Sequence, residues 1–108
     1  GANDAVKVDG LLYVTAGGVV YCFEATSGQI LWEQDLQVAE LSSPVIYGSW
    51  MGVVSTKGKA YFLDRRSGDL LHSYSVKGGG FSDPLLEGKN LYFLSNGSRL
   101  YRFEFKDS

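Results

Sequence analysis

The sequence VYCFEATSGQILW at residues 20–32 returns forty residues later, at residues 60–72, as AYFLDRRSGDLLH. Each copy runs from apolar and aromatic residues through a Ser-Gly pair into a second apolar stretch. This pattern predicts a β-hairpin, because aromatic and β-branched residues favour strands and glycine adopts the positive φ angles of tight turns. The repeat therefore predicts an all-β protein built from copies of one unit.

The period of 40 residues extends beyond these two hairpins. Tyrosine recurs at positions 21, 61 and 101, and a residue followed by proline recurs at 43–44 and 83–84. The same spacing places Val14, Val54 and Leu94 at one position of the repeat. The glycine and proline turns divide each unit into four short predicted strands. These are 45–47 and 85–86 for the first strand, 11–15, 50–55 and 90–95 for the second, 19–24, 59–64 and 99–105 for the third, and 29–36 and 69–76 for the fourth.

Four strands in about forty residues are typical of a β-propeller blade. The strands are apolar on both faces, as in residues 19–23, which is expected when each blade packs between two neighbours. We therefore expect an all-β fold, a partial β-propeller of about two and three-quarter four-stranded antiparallel blades. We expect a single domain over residues 1–108, with blade repeats at about 5–40, 41–80 and 81–108.

The junction of the third and fourth strands, residues 22–32, resembles the tryptophan-docking motif of pyrroloquinoline-quinone-like, or quinoprotein-type, β-propellers. That motif reads roughly A-x-D-x-x-[ST]-G-x-x-x-W. In the second copy, His72 stands where the first copy has Trp32. The resemblance implies that Trp32 packs between adjacent blades. It says little about activity, because one fold serves many functions.

Within that superfamily, the chain most resembles the C-terminal third of the BamB family of outer-membrane assembly lipoproteins. Residues 3–10, 41–47 and 79–84 carry this resemblance. It implies a periplasmic scaffold, tethered to the outer membrane of a Gram-negative bacterium by an N-terminal lipid, that helps the β-barrel assembly machinery insert outer-membrane proteins. The lipoprotein cysteine and the preceding blades of that family are not in this sequence, so no partner-binding residue is carried over.

Charge and hydropathy argue against nucleic-acid binding and against a membrane-spanning segment. The formal net charge is −2 and the longest basic run is Arg65-Arg66, whereas nucleic-acid binding needs a clustered basic surface. No apolar run approaches the length of about 18 residues that a membrane-spanning helix requires. We therefore expect protein partners, no nucleic acid and no transmembrane segment.

The chain offers little for catalysis. Cys22 is the single cysteine and His72 the single histidine, and they lie far apart in sequence. By resemblance, a catalytic quinoprotein would need calcium ligands and usually two adjacent cysteines, and the sequence has no such cysteine pair. We predict no catalytic, cofactor-binding or metal-binding residue and no cofactor. Other candidates are expected to be structural: the glycines 78–80 as a connection between blades, 96–98 as a turn, Asp64 and Asp69 as hairpin ends, Arg65-Arg66 as a solvated turn, and Trp50 as packing between blades.

The sequence favours a non-catalytic binding scaffold in outer-membrane protein assembly. The alternative is a fragment of a quinoprotein-like dehydrogenase, or of a sensor propeller, whose active residues lie outside this chain. We also expect self-association, because an incomplete propeller exposes the outward faces of its first and last blades. The residues expected on those faces are Val6, Val8, Tyr101, Phe103 and Phe105.

Overall fold

The computed structural model describes residues 5–77, 83–95 and 98–106, which form eleven β-strands in three antiparallel sheets. The described residues contain no α-helix, and therefore none long and apolar enough to cross a bilayer. The predicted all-β fold and its arrangement as a partial propeller are confirmed.

The first sheet, blade 1, consists of β1 (Ala5–Val8), β2 (Leu11–Ala16), β3 (Val19–Glu24) and β4 (Ile30–Asp35). Each strand pairs with the next in chain order, so that the sheet is a meander. A register irregularity between β3 and β4 leaves Leu31 out of the ladder, as in a β-bulge.

The second sheet, blade 2, repeats this arrangement with β5 (Val45–Tyr47), β6 (Trp50–Val54), β7 (Lys59–Asp64) and β8 (Leu70–Ser75). Leu71 is left out of its ladder at the position equivalent to Leu31. The repeat therefore preserves the bulge as well as the strands.

The third sheet, blade 3, consists of β9 (Leu85–Glu87), β10 (Asn90–Leu94) and β11 (Leu100–Glu104). Its order is β11-β10-β9, which places β11 at one edge of the sheet. In blades 1 and 2 the equivalent strands, β3 and β7, are each covered by a fourth strand.

Two buried clusters hold the three blades in a row. The first interface, between blades 1 and 2, is built around Tyr13, Cys22, Met51 and Leu63, all fully buried. The second interface, between blades 2 and 3, is built around residues that are all at most 5% exposed: Val54, Ala60, Phe62, Leu91, Phe93 and Phe105. The central strands β6 and β7 of blade 2 are buried on both faces, as the apolar strands predicted, whereas β8 is exposed.

The faces of the second strand correct one part of the repeat alignment. Val54 packs in the second interface, towards the following blade. Val14 pairs with Tyr21 and lies on the face opposite Tyr13, away from blade 2. The expectation that Val14 and Val54 share one position is therefore wrong. The cause is the β2–β3 turn, which is only the pair Gly17-Gly18, so β2 is displaced by one residue and every side chain changes face.

Candidate interaction surfaces

Trp32 of blade 1 packs against blade 2 and forms a hydrogen bond with it. Its indole Nε1 donates a hydrogen bond to the carbonyl oxygen of Arg65 at 3.0 Å, in the turn between β7 and β8. Two residues further along β4, the amide of Gln34 donates to the carbonyl oxygen of Gly68 at 2.9 Å. The packing role that the resemblance implied for Trp32 therefore includes one hydrogen bond between blades, and Gln34 adds a second.

Gly68 is required by this contact. Its φ is +80°, and a Cβ atom placed on it would lie 2.5 Å from the Trp32 ring. Gly28, the equivalent residue of blade 1, has a φ of +75° but nothing within 4 Å of a Cβ position. The turn of blade 1 therefore has the same backbone shape but carries no docked indole.

Arg65 is a buried residue of the first interface, so its expected place in a solvated turn is wrong. Only 6% of Arg65 is exposed, and its guanidinium donates to Gly48 O, to Tyr13 Oη at 3.1 Å and to Asp9 Oδ2 at 2.9 Å. These hydrogen bonds compensate the buried positive charge of the guanidinium. They also join blade 2 to β2 and to the β1–β2 turn of blade 1. Arg66, its neighbour in sequence, is exposed as expected.

The second interface uses a different indole. Trp50 lies in β6, and its Nε1 donates to the carbonyl oxygen of Lys106 at 3.1 Å. Its ring stacks on His72 with centroids 6.1 Å apart, and His72 occupies the position of Trp32 in the repeat. The pair of Trp50 and His72 therefore takes the place that a single tryptophan holds in the first interface, which agrees with the expected packing role of Trp50.

A shallow groove of about 170 Å³ lies beside this contact. Aromatic side chains supply most of its walls, and Glu104 and Lys106 are the charged residues that line it. The full lining is Trp50, Phe62, His72, Tyr74, Phe103, Glu104, Phe105 and Lys106.

Cys22 is fully buried in the first interface. Burial raises the pKa of its thiol, which holds the group in its protonated, weakly nucleophilic form at neutral pH. His72 lies in the second interface, on the other side of blade 2. The structure therefore does not bring the single cysteine and the single histidine together.

The other residues that the sequence singled out lie in turns, so far as they belong to the described residues. Asp64 Oδ1 accepts a hydrogen bond from the backbone N–H of Arg66, and Asp69 is exposed. Among residues 5–77, 83–95 and 98–106, no three His, Cys, Asp or Glu side chains are grouped as metal ligands would be. The glycines at 78–80 and the Asn-Gly pair at 96–97 lie outside the described residues.

The end face of blade 1 is the side that points away from blade 2. It is apolar over β2 and β3, where its residues are half-buried within their own sheet. Tyr21 and Phe23 stack there with centroids 5.8 Å apart, and Ile30 is 48% exposed. The face consists of Ala5, Leu12, Val14, Val19, Tyr21, Phe23 and Ile30, with Lys7 on the inner strand and Glu33 and Asp35 on the outer strand.

The end face of blade 3 is more mixed. Leu85, Leu94 and Leu100 are 62%, 47% and 68% exposed on this face. Asn90 and Tyr92 lie on the same face, and Glu87, Arg102 and Glu104 supply its charges. Both end faces therefore combine apolar residues with a few charges.

The residues expected on the outward faces are on the inward ones. Val8 packs against the first cluster, and Val6 shares its face because it pairs with Tyr13. Phe103 and Phe105 pack on Phe62 of blade 2, with centroids 5.3 and 5.5 Å apart. Tyr101 also packs against the second cluster, so all five residues face blade 2 and not the exterior. The apolar residues that the outward faces do carry are the neighbours of these residues along the strands, whose side chains point to the opposite side of the sheet.

Fold and contacts define a class: a propeller of pyrroloquinoline-quinone-like repeats, in which blades 1 and 2 dock through an indole on a Ser-Gly turn. The family model of outer membrane protein assembly factor BamB matches residues 16–108. The chain belongs to this family.

Comparison with individual proteins agrees with this family. The chain is 28% identical over 99 residues to outer membrane protein assembly factor BamB of Legionella pneumophila (strain Paris), covering 91% of this chain and 26% of that protein. The crystal structure of BamB from Moraxella catarrhalis shares the fold, with a TM-score of 0.82 and 20% identity over 94% of this chain and 30% of that one. This chain thus spans about a quarter of the length of that curated relative.

An enzyme also shares the fold. The quinohemoprotein alcohol dehydrogenase ADHIIG from Pseudomonas putida HK5 matches with a TM-score of 0.71 and 16% identity, over 93% of this chain and 20% of that one. At this identity the likeness concerns the fold alone.

Proposed function

We propose that this chain is a non-catalytic scaffold that holds protein partners during outer-membrane protein assembly in the periplasm. Its membership of the BamB family, matched over residues 16–108, carries the proposal. The partner class that family membership supports is the β-barrel assembly machinery.

The shape of the molecule suits such a role. Two interfaces fix three sheets in a row, so the turns at their edges are presented from a rigid body. The end faces add half-exposed apolar residues, and contiguous apolar surface with a polar rim is typical of protein–protein contact.

Binding to purified β-barrel assembly complex, measured by biolayer interferometry with the chain immobilised, tests the proposal. We expect saturable binding that depends on the rigid stacking of the blades. Trp32→Ala, which removes the indole between blades 1 and 2, should weaken it. Leu31→Ala, at a 48% exposed position on the same strand, should leave it unchanged. Binding no stronger than that of an unrelated β-protein would contradict the proposal.

The second candidate is a fragment of a quinoprotein-like dehydrogenase, favoured by the shared fold with an alcohol dehydrogenase. Reduction of a dye acceptor, with added pyrroloquinoline quinone, calcium and a panel of alcohols and sugars, distinguishes the two. The scaffold proposal predicts turnover equal to a protein-free blank. Turnover above that blank would favour the enzyme.

We also propose that the isolated chain self-associates through its two end faces. Exposed Ile30 on one face and exposed Leu85 and Leu100 on the other support this.

A further inference from the structure

We propose that the outer edge of β8, the fourth strand of blade 2, binds an extended polypeptide segment that adds to the sheet as a further antiparallel strand. The occupant is a segment of an unfolded outer-membrane β-barrel protein, so the inference rests on the proposed function and assigns a site to it. Because β8 belongs to the middle blade, its edge lies at the side of the row and does not involve the end faces of blades 1 and 3.

Two residues of β8 point their backbone groups away from β7. The N–H of Val76 donates to the carbonyl oxygen of Gly58, which makes these two residues a hydrogen-bonded pair. Such pairs alternate along an antiparallel ladder, so Tyr74 is also bonded to β7, whereas Ser73 and Ser75 direct their N–H and C=O groups outward. No described strand pairs with this edge, so these backbone groups are free to bond an added strand.

β8 lacks the residues that usually protect the edge of a sheet. All six of its positions, Leu70–Ser75, are exposed, and its sequence contains no lysine, arginine, aspartate, glutamate or proline. Proteins commonly place charges or prolines on an edge strand, or cover it with another segment, because a bare edge pairs with other strands. The composition of β8 therefore permits the addition of a strand.

The equivalent strand of blade 1 carries the charges that β8 lacks. Glu33 and Asp35 stand forty residues before Ser73 and Ser75, and both are exposed. The hydrogen-bond ladder of β4 has the same phase, because the N–H of Leu36 donates to the β2–β3 turn. Each of the two blades therefore has an outer edge of the same geometry, and the edge of β8 is the uncharged one.

The two faces of β8 specify the side chains of the added strand. The rings of His72 and Tyr74 stack with centroids 6.2 Å apart on the face towards blade 3, and Tyr74 remains 45% exposed. Ser73 and Ser75 lie on the opposite face. Paired residues of neighbouring strands share a face, so the added strand places apolar residues beside the aromatic rings and polar residues beside the serines. This alternation is the pattern of a transmembrane β-strand.

The charges at the end of β8 favour one sequence direction in the added strand. All strand pairs of blade 2 are antiparallel, so an added strand that continues the pattern begins beside the last residue of β8. Three exposed lysines lie at this end of the blade, Lys57, Lys59 and Lys77, together with the exposed Glu40, whose carbonyl oxygen accepts a hydrogen bond from Thr56 N–H. The excess of positive charge favours a segment with acidic residues at its N-terminal end.

A synthetic peptide tests the site in the intact chain. The probe is a short fluorescein-labelled peptide with glutamates at its N-terminal end, followed by valine and phenylalanine in alternation with serine and threonine. Fluorescence anisotropy measures its Kd, and we expect saturable binding. The residues that bond Ser73 and Ser75 share their polar face. N-methylation of the amides of the serines and threonines should therefore abolish binding, whereas N-methylation of the valines and phenylalanines should preserve it.

Edge substitutions in the chain give a matched pair of variants. Ser73→Pro removes an outward N–H of β8 without breaking a bond to β7, and it should weaken peptide binding by about tenfold. Glu33→Pro makes the same change at the equivalent position of β4 and should leave binding unchanged. Ser73→Glu combined with Ser75→Glu gives β8 the charges of β4 and should also weaken binding. Circular dichroism confirms that each variant remains folded.

Absence of peptide binding would overturn the proposal, as would binding that persists in both serine variants or that Glu33→Pro weakens to the same extent as Ser73→Pro. Loss of self-association in Ser73→Pro would also overturn it, because a second copy would then occupy the edge. Binding to the β-barrel assembly complex is a separate measurement. A chain that binds the complex but not the peptide would therefore lose the strand-addition site and keep the proposed scaffold function.

Discussion

The residue that follows the third strand differs in each blade: Ala25, Arg65 and Phe105. Arg65 was misassigned from the sequence because two adjacent arginines in a turn resemble a solvated surface. Its partner Tyr13 is 52 residues away and no local pattern links them. The packing role of Trp32, in contrast, was predicted well, because the spacing of the indole to the Ser-Gly pair is a local feature.

Two matched glycine substitutions measure the docking contact. Gly28→Ala should cost about 1 kcal/mol of unfolding free energy, since alanine is strained at positive φ. Gly68→Ala carries the same strain and adds a collision with Trp32, for a further loss of about 1–3 kcal/mol. Urea unfolding of both variants gives the difference. Equal losses would show that Trp32 does not press on the turn in solution.

Buried Tyr13 and Cys22 predict a loss of stability at alkaline pH. Burial raises the pKa of both groups above their values in the unfolded chain. Their contribution is therefore full at neutral pH and falls as the pH rises above about 8.5, where an unfolded cysteine ionises, and again above about 10, where tyrosine does.

Urea unfolding between pH 7 and 11 measures this loss, and Cys22→Ala is its control. The variant should keep a constant unfolding free energy until about pH 10, because Tyr13 and Tyr61 are then the remaining groups whose pKa burial raises. An original chain whose stability is level up to pH 11 would contradict the burial of these groups.

At the scale of elements, the strands were predictable and their faces were not. Turn glycines, prolines and apolar runs are local signals, so the predicted strands agree with the observed ones to within about one or two residues, the usual uncertainty of strand ends. Which face of the sheet a residue occupies depends on the strand register. Because the β2–β3 turn is one residue shorter than the β6–β7 turn, every side chain of β2 lies on the opposite face from the one that the 40-residue spacing predicts.

The outer edge of β11 predicts a contrast in hydrogen exchange. Phe105 N–H donates to Lys89 O, so the alternate residues Leu100, Arg102 and Glu104 point their backbone groups away from β10. No described strand pairs with that edge. Their amides should exchange much faster than the amides of Ala60 and the other equivalent residues of β7, which β8 covers.

This contrast also separates two modes of association. Face-to-face packing of blades leaves the edge of β11 open, whereas exchange of a strand between copies would cover it. Slow exchange at Leu100, Arg102 and Glu104 in the associated protein would therefore contradict packing through the end faces.

At the scale of the whole molecule, residues 5–77, 83–95 and 98–106 form a row of three blades with two closed interfaces and two end faces. The closed interfaces bury apolar residues almost completely, but Ile30, Leu85 and Leu100 remain between 48% and 68% exposed on the end faces. Membership of the BamB family and the propeller fold agree with this picture, since a blade is stable when both of its faces are covered. The central claim is that the end faces of this chain are binding surfaces.

Light scattering of the unmodified chain across a dilution series tests that claim most directly. We predict a mass well above 11.8 kDa at tens of micromolar protein, falling towards that value on dilution as the end faces separate. A mass of 11.8 kDa throughout the series would contradict the claim.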